Sequence, residues 1–213
     1  MNDIINWENL FLKSQNFQNK TPFRYEYIQE VINENFYKKL LEEYPKLDEF
    51  ENGSDFSKVQ LFIDCKINGE SLESKTIDKN LQFSENWKIF KNYVKSEAFL
   101  KNMRKFTGIQ VNKLTMFKFI AYRNGGFQLP HAHGVGEKTL IVFFYFSPNW
   151  KDGEAGGTYF ARDFDESEII FEPYDLNNSM VLFQDVPNAI HGTRMITNGR
   201  ERKAIQLVLE ITD

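Results

Sequence analysis

Residues 122–133 have the sequence YRNGGFQLPHAH and contain two of the three histidines of this 213-residue chain. If the end of this segment is a β-strand, His131 and His133 lie on the same face of it, because side chains alternate between the two faces of a strand. The third histidine, His191, belongs to a separate predicted strand. No histidine is left over, and the three together predict a metal site shared by neighbouring strands.

A site with three protein ligands leaves positions of the metal open for substrate or oxygen, as catalysis requires. Structural sites, in contrast, usually have four protein ligands. Imidazole nitrogens suit iron, zinc, copper, nickel and manganese, so the ligands alone do not select the ion. The alternative interpretation is structural, with His131 and His133 on a surface loop and His191 a hydrogen-bonded core residue.

The segments around the histidines predict a mainly β structure. After Gly108, short runs rich in β-branched and aromatic residues are separated by Gly, Pro, Asn and Asp. These runs predict strands near residues 112–122, 139–147, 157–161, 167–172, 179–184, 188–195 and 202–211. Several short strands of this kind favour a sandwich or a barrel.

The first half of the chain has helical patterns. Apolar residues at helical spacing predict amphipathic helices at 33–44 and at about 84–106. Between them, a strand is expected at 58–67 and a polar loop at 68–80. Helices followed by strands predict an α+β, mainly β fold with helical support on one side of the β core.

Length, charge and cysteine content limit the class of protein. A chain of this size fits a single domain, 1–213, with a helical and mixed supporting region at 1–108 and the β core at 109–213. The formal net charge is −4 and no long basic run is present, so no nucleic-acid partner is expected. The single cysteine, Cys65, excludes an internal disulfide and a multi-thiolate metal site.

The distribution of apolar residues gives no indication of a membrane protein. Residues 1–7 lack the basic start and apolar run of a signal peptide. The longest apolar stretch, 140–146, is too short to span a bilayer. We therefore expect a cytoplasmic protein without a membrane partner.

Further motifs follow residues 122–133 in a fixed order. They are TLIVFFY at 139–145, NW at 149–150, GGTYF at 156–160, NSMVLF at 178–183, PNAIHG at 187–192 and GRERKAI at 199–205. Together, residues 110–212 resemble the catalytic core of 2-oxoglutarate- and Fe(II)-dependent oxygenases, particularly the prolyl-4-hydroxylase-like superfamily. The resemblance implies a double-stranded β-helix core, a cupin-like jelly roll, with supporting N-terminal helices.

The resemblance also implies roles for individual residues. His131, His133 and His191 would bind Fe(II), and Arg202 would bind the far carboxylate of the cosubstrate 2-oxoglutarate. Arginine suits that role because its rigid fork can form two parallel, charge-assisted hydrogen bonds with a carboxylate. Tyr122 would donate a hydrogen bond to the cosubstrate, with a plain core tyrosine as the alternative.

Arg194 and Arg200 are the local alternatives to Arg202. Arg202 is favoured because it stands at the entry to the final apolar strand, two residues before a small side chain, as the arginine of the family does. That small residue is Ala204, where many members have serine, so one hydrogen bond to the cosubstrate is expected to be missing. A solvated turn charge is the alternative role for each arginine.

His133 departs from the family pattern, which has aspartate or glutamate at this position. A neutral imidazole would leave a divalent iron site with a charge of about +2 instead of +1, before cosubstrate binds. We expect this difference to shift the redox potential and the metal preference. In a second possibility, His131 and His191 bind alone and leave a vacant position, as in the halogenating members of the family.

The sequence therefore predicts a dioxygenase that uses 2-oxoglutarate and dioxygen, and that hydroxylates a small molecule or a peptidyl side chain. One alternative is a cupin-type metal-binding dioxygenase or isomerase that does not use 2-oxoglutarate, in which Glu137 joins the histidines as the fourth ligand. Another alternative is a jelly roll that binds a ligand without catalysis.

Overall fold

The computed structural model describes residues 4–65, 67, 83–133 and 138–212. Within these ranges the helices are α1 (Trp7–Leu12), α2 (Ser14–Gln18), α3 (Glu34–Glu42), α4 (Glu85–Val94) and α5 (Glu97–Thr107), with 3-10 turns at Leu47–Glu49 and Glu166–Glu168. The strands are β1 (Tyr25–Gln29), β2 (Glu51–Asn52), β3 (Lys58–Val59), β4 (Leu61–Cys65), β5 (Val111–Tyr122), β6 (Phe127–His131), β7 (Thr139–Phe146), β8 (Thr158–Ala161), β9 (Ile169–Phe171), β10 (Asn177–Asp185), β11 (Ile190–Thr193) and β12 (Arg202–Ile211). The predicted polar loop at 68–80 lies outside the described residues.

The described strands form two antiparallel sheets. The larger sheet has the order β1-β10-β7-β12-β5-β4-β2, and the smaller sheet has the order β3-β6-β11-β8-β9. Strands that are neighbours in space come from distant parts of the chain, as β1 with β10 and β6 with β11 show. Two facing layers of this kind agree with the mainly β fold expected from the sequence.

Strand β7 is apolar without interruption from Leu140 to Phe146, because both of its faces are covered. Leu140, Val142, Phe144 and Phe146 belong to the cluster that includes the helices. The alternate residues Ile141, Phe143 and Tyr145 belong to the cluster between the two sheets. Because successive side chains point to opposite faces, a strand covered on both sides is apolar at every position.

The helices cover the outer face of the larger sheet with aromatic side chains. The ring of Trp87 on α4 lies 4.8 Å from that of Phe119 on β5, and Phe90 meets Phe144 on β7 edge to face at 5.7 Å. Such pairs add roughly 0.5–1.5 kcal/mol each beyond the area they bury. The predicted supporting role of the helices is thus visible in the packing. None of the described helices combines the length and apolarity needed to cross a bilayer.

The single helix predicted at about 84–106 is wrong, because the segment folds as the two helices α4 and α5. Ser84 caps α4, and Ser96 caps α5 by accepting a hydrogen bond from the backbone N–H of Phe99 at 3.3 Å. Gly108 ends α5 in the left-handed conformation, with φ of 69°. The helical spacing of apolar residues continues through the break and therefore did not reveal it. The signal for the break was Ser96, a residue type that is favoured at the N-cap of a helix.

The N-terminal half contributes more strand than the sequence predicted. The segment expected at 58–67 forms β3 and β4, whereas β1 and β2 were not expected. Through these strands, residues 1–108 add to both sheets as well as supplying helices. Whether residues 1–213 form a single domain stays a prediction.

Candidate metal centre and anion pocket

The three histidines converge at one end of the smaller sheet. His191 on β11 and His131 on β6 are paired residues of neighbouring strands, with ring centroids 4.2 Å apart. His133, two residues beyond the end of β6, lies 5.1 Å from His131 and 5.0 Å from His191 by the same measure. One ring nitrogen of each residue lies within 4.8 Å of those of the other two. A single ion can therefore reach all three imidazoles.

The hydrogen bonds of the rings determine which nitrogen faces the ion. Nδ1 of His131 lies 3.0 Å from the carbonyl oxygen of Leu129, and Nδ1 of His191 lies 2.8 Å from that of Ala189. Carbonyl oxygens only accept hydrogen bonds, so both Nδ1 atoms carry the hydrogen. Each Nε2 is left with a lone pair for a metal, which is the usual division of roles in a metal-binding histidine.

Burial keeps the paired imidazoles neutral. His191 is only 4% exposed, and burial holds its pKa well below the ordinary value, with the nearby His131 lowering it further. Burial also lowers the pKa of His131. Neutral imidazole is the form that binds metal ions, so these two residues need not lose a proton first.

His133 has a different partner for its Nδ1 atom. Nδ1 of His133 lies 3.1 Å from Oδ2 of Asp185, the last residue of β10. The side chain of Asp185 is buried, with 2% of the residue exposed. The same oxygen accepts a hydrogen bond from the hydroxyl of Thr139 at 3.0 Å. Sequence reasoning missed Asp185. Its only signal was a carboxylate two residues beyond the apolar run at 180–183.

A polar network leads from the histidines into the space between the sheets. The amide Nε2 of Gln128 lies 3.2 Å from Nε2 of His131, to which it can donate. The hydroxyl of Tyr122 lies 3.1 Å from Oε1 of Gln128 and 3.0 Å from Oε1 of Gln60. Burial raises the pKa of Tyr122, so this phenol keeps its proton and acts as a donor.

Arg202 on β12 and Tyr122 on β5 are paired residues of neighbouring strands. Only 1% of Arg202 is exposed. The guanidinium carbon is 4.8 Å from the ring centroid of Tyr122, 5.2 Å from that of Tyr145 and 5.6 Å from that of Phe143.

The guanidinium of Arg202 is only partly satisfied by the protein. Nη2 donates to the hydroxyl of Thr158 at 3.0 Å, and Nε has no hydrogen-bond partner among the described residues. Across the part of the chain that the structure describes, no carboxylate forms an ion pair with it. A buried charge without a counter-ion is costly, so Arg202 is a candidate for binding an anion.

Comparisons with known proteins give a structural likeness only. No family profile and no curated protein sequence matches the chain. A prolyl-4-hydroxylase from Pseudomonas putida superimposes with a TM-score of 0.67 at 11% identity, over 96% of this chain and 100% of that chain. A prolyl hydroxylase from Trichoplax adhaerens, solved with a peptide of hypoxia inducible factor, gives 0.65 at 14% identity, over 96% and 88%. HygX from Streptomyces hygroscopicus, solved with nickel, 2-oxoglutarate and hygromycin B, gives 0.60 at 10% identity, over 96% and 87%.

The chain has the fold of the 2-oxoglutarate- and Fe(II)-dependent oxygenases. The double-stranded β-helix expected from the motifs is thereby confirmed. Within this fold, two residues link the histidine cluster to Arg202: the ring of Tyr122 contacts the guanidinium, and Gln128 contacts both the hydroxyl of Tyr122 and the ring of His131.

The alternative arginines already have counter-ions in this fold. Arg194 pairs with Glu172 at 2.7 Å, and Arg200 pairs with Glu154 at 2.5 Å. Both side chains are about one third exposed, at 35% and 32%. Arg202 is therefore the arginine of this group with unused hydrogen-bonding capacity in a buried place.

Two further sequence hypotheses concern Ala204 and Glu137. Ala204 is fully buried and lies opposite Tyr145 in the pairing of β12 with β7, so it adds no side-chain donor to the pocket. Glu137, the fourth ligand of the cupin alternative, lies outside the described residues. The cupin ligand set therefore stays a hypothesis.

Proposed function

We propose that this protein is a non-haem oxygenase that uses Fe(II) and 2-oxoglutarate to hydroxylate a small molecule or a peptidyl side chain. The observation that carries the proposal is the position of the buried guanidinium of Arg202, which no carboxylate of the described residues pairs with. Tyr122 and Gln128 connect it to the three-histidine cluster. An anion pocket alone, or a histidine cluster alone, would fit many proteins. Together they match a cosubstrate that must touch both a metal and a cation.

The histidine cluster fits the metal. His131, His133 and His191 would hold it through Nε2, since each Nδ1 has an acceptor of its own. When iron and 2-oxoglutarate are bound, they supply the oxidative decarboxylation to succinate and carbon dioxide that is coupled to oxidation of the substrate by dioxygen. The protein contributes the open positions, because three ligands leave room for cosubstrate and oxygen.

The Arg202 pocket fits the carboxylate end of 2-oxoglutarate. The free Nε of Arg202 and the hydroxyl of Thr158 beside its Nη2 can both donate to a carboxylate. The rings of Tyr122, Phe143 and Tyr145 exclude water around the charge, which strengthens its attraction for an anion. Arg202 would thus fix which end of the cosubstrate faces the metal.

Gln128 would couple the two halves of the site. In the structure its amide can donate to Nε2 of His131. With a metal on that lone pair, the amide hydrogen of Gln128 would be free to donate to the cosubstrate instead. Tyr122, which contacts the oxygen of the same amide, would hold Gln128 in a position to do so.

The proposed substrate class is supported by two proteins of the same fold. Proteins of this fold were solved with a peptide in one case and with hygromycin B in another. We therefore propose a peptidyl or small-molecule substrate for this chain as well. Hydroxylation is the proposed reaction.

The test is a turnover assay with defined metal content. Protein is stripped of metal, reconstituted with Fe(II) without oxygen, mixed with 2-oxoglutarate and exposed to oxygen, and succinate is measured. Iron-dependent succinate, even without a substrate, is the expected result, and metal-free protein serves as the control. Tightly bound metal without any succinate would contradict the proposal and favour the cupin-type alternative, with Glu137 as the next residue to test.

A further inference from the structure

Asp185 is the only carboxylate that the described structure places against a histidine of the cluster. It ends β10 at a point where Asp185 and Thr139 are paired residues of neighbouring strands. Oδ2 accepts hydrogen bonds from His133 and Thr139, whereas Oδ1 is buried without a partner among the described residues. A nearly buried carboxylate is costly unless it has a function or strong partners.

The charge of the histidine cluster gives Asp185 a function. Three neutral imidazoles leave the full charge of a divalent ion in place, about one unit more than a site in which one ligand is a carboxylate. His133 stands where the resemblance leads one to expect that carboxylate. Asp185 contacts this histidine and neither of the other two rings within hydrogen-bond distance.

We propose that Asp185 is a positioning residue that returns, through His133, the negative charge that the metal centre lacks because position 133 is an imidazole. The proposal rests on the proposed metal site. Accepting the Nδ1 hydrogen of His133 orients the ring, holds Nε2 toward the metal and makes that nitrogen a better electron donor. The negative charge is thus present in the site, but it lies on Asp185, the partner of a metal ligand, and not on a ligand itself.

The chain offers a plain alternative that must be separated from this one. In that alternative, Asp185 only ties the end of β10 to the start of β7 through Thr139, without electrostatic consequence for the metal. If the role is structural, substitutions of Asp185 should lower metal affinity by the same amount whatever residue stands at position 133. If the role is electrostatic, the loss of affinity should depend on the residue at position 133.

The first experiment measures the affinity for Co(II) and Zn(II) by competition with a chelating indicator, without 2-oxoglutarate or oxygen. Asp185→Asn keeps the shape of the side chain and an oxygen acceptor but removes the charge. We expect the affinity to fall about tenfold to a hundredfold, the usual effect of losing a partner of a metal-binding histidine. The matched control, Thr139→Val, removes the other donor to Oδ2 without changing the charge and should lower the affinity far less.

The decisive experiment repeats Asp185→Asn in the His133→Asp background. There a carboxylate at position 133 would face Asp185, and like charges at short distance repel. Asp185→Asn should then leave metal affinity unchanged or increase it, so the effect of the substitution disappears or changes sign between the two backgrounds. An equal loss of affinity in both backgrounds would overturn the proposal.

A second pair of variants covers the case in which Asp185→Asn does not fold. Asp185→Glu and Asp185→Gln have the same length and differ in charge alone, so their comparison does not depend on the wild-type packing. The Glu variant should bind Co(II) more tightly, and the Fe(III)/Fe(II) potential of the Gln variant should be higher, because the carboxylate stabilises the more positive ion. Equal affinities and potentials would contradict the proposal.

These measurements also separate the present inference from the proposed function. A protein that makes no succinate, but whose metal affinity depends on Asp185 and position 133 as described, contradicts the oxygenase and supports the role of Asp185. A protein that makes succinate with unchanged metal affinity in all Asp185 variants supports the oxygenase and overturns the role of Asp185.

Discussion

His191 lies directly opposite His131 in the pairing of β11 with β6, and their ring centroids are 4.2 Å apart. The backbone hydrogen bonds of the sheet thus position two of the three candidate ligands before any metal is present. His133 lies beyond the end of β6 and depends on Asp185 for its orientation. The site therefore combines a rigid pair of histidines with one that is held by its side-chain partner.

Removing either histidine of the rigid pair should abolish stable metal binding. His131→Ala and His191→Ala each leave two imidazoles, and the chain has no other histidine to replace the lost one. We expect no stoichiometric Fe(II) or Co(II) in equilibrium dialysis of either variant. Circular dichroism controls for folding, and retention of one tightly bound ion per chain in a folded variant would show that the cluster is not the metal site.

Metal binding should stabilise the protein by mass action. At a free Co(II) concentration about a hundredfold above Kd, binding raises the free energy of unfolding by about 2.7 kcal/mol. For a chain of this size that corresponds to an increase in Tm of roughly 5–10 °C. Thermal melts with and without Co(II), and after addition of a chelator, measure the shift. His191→Ala should show none, and an equal shift in that variant would point to metal binding elsewhere.

Arg202→Ala should raise the requirement for 2-oxoglutarate and spare the metal. Loss of charge-assisted hydrogen bonds costs about 1.5–3 kcal/mol, which is about tenfold or more in the KM for the cosubstrate. Succinate formation against 2-oxoglutarate concentration, together with Co(II) affinity, measures both effects. Arg200→Ala is the matched control, because Arg200 pairs with Glu154. An unchanged KM in the Arg202 variant would show that the carboxylate binds elsewhere.

Tyr122→Phe should affect the cosubstrate more weakly than Arg202→Ala. The substitution keeps the ring against the guanidinium of Arg202 but removes the hydroxyl that contacts Gln60 and Gln128. We expect a loss of about 1 kcal/mol, or a few-fold increase in the KM for 2-oxoglutarate. Metal affinity should stay at the wild-type value. A loss of metal in this variant would instead make Tyr122 part of the support of His131.

Gly192→Ala should damage both the fold and the metal site. A Cβ atom at this position would lie 2.4 Å from the hydroxyl oxygen of Tyr159 and 2.6 Å from the backbone oxygen of Gln128. Strand β11 must shift, and His191 with it, at a cost of about 1–3 kcal/mol. The free energy of unfolding, measured with urea, and the affinity for Co(II) should both decrease.

Gly153→Ala is the control for the preceding variant. A Cβ atom at Gly153 meets nothing within 4 Å, although the backbone there has a φ of 82°. It should lower stability slightly through that conformation and leave Co(II) affinity unchanged. A loss of metal affinity equal to that of Gly192→Ala would indicate that general destabilisation, and not displacement of His191, is the cause.

Local sequence patterns predicted most of the core strands and misjudged parts of the N-terminal half. Strand β12, expected at 202–211, and β7, expected at 139–147, occur at 202–211 and 139–146. Their long apolar runs leave little choice of structure. Strand β1 was missed because its stability comes from pairing with β10, a contact between distant parts of the chain that no local pattern contains.

The sequence by itself determined which residues have the chemistry for the site: three histidines and an arginine at the start of the last apolar strand. Residue type, a local property, was sufficient to select the histidines, whereas Arg202 was selected through the resemblance to the oxygenases. Only the tertiary structure decided that Arg202 is buried and has no counter-ion among the described residues, while Arg194 and Arg200 are paired. It alone placed Asp185 against His133. Both results depend on which side chains the pairing and stacking of strands bring together, and the distance between two side chains in space is independent of their separation in the chain.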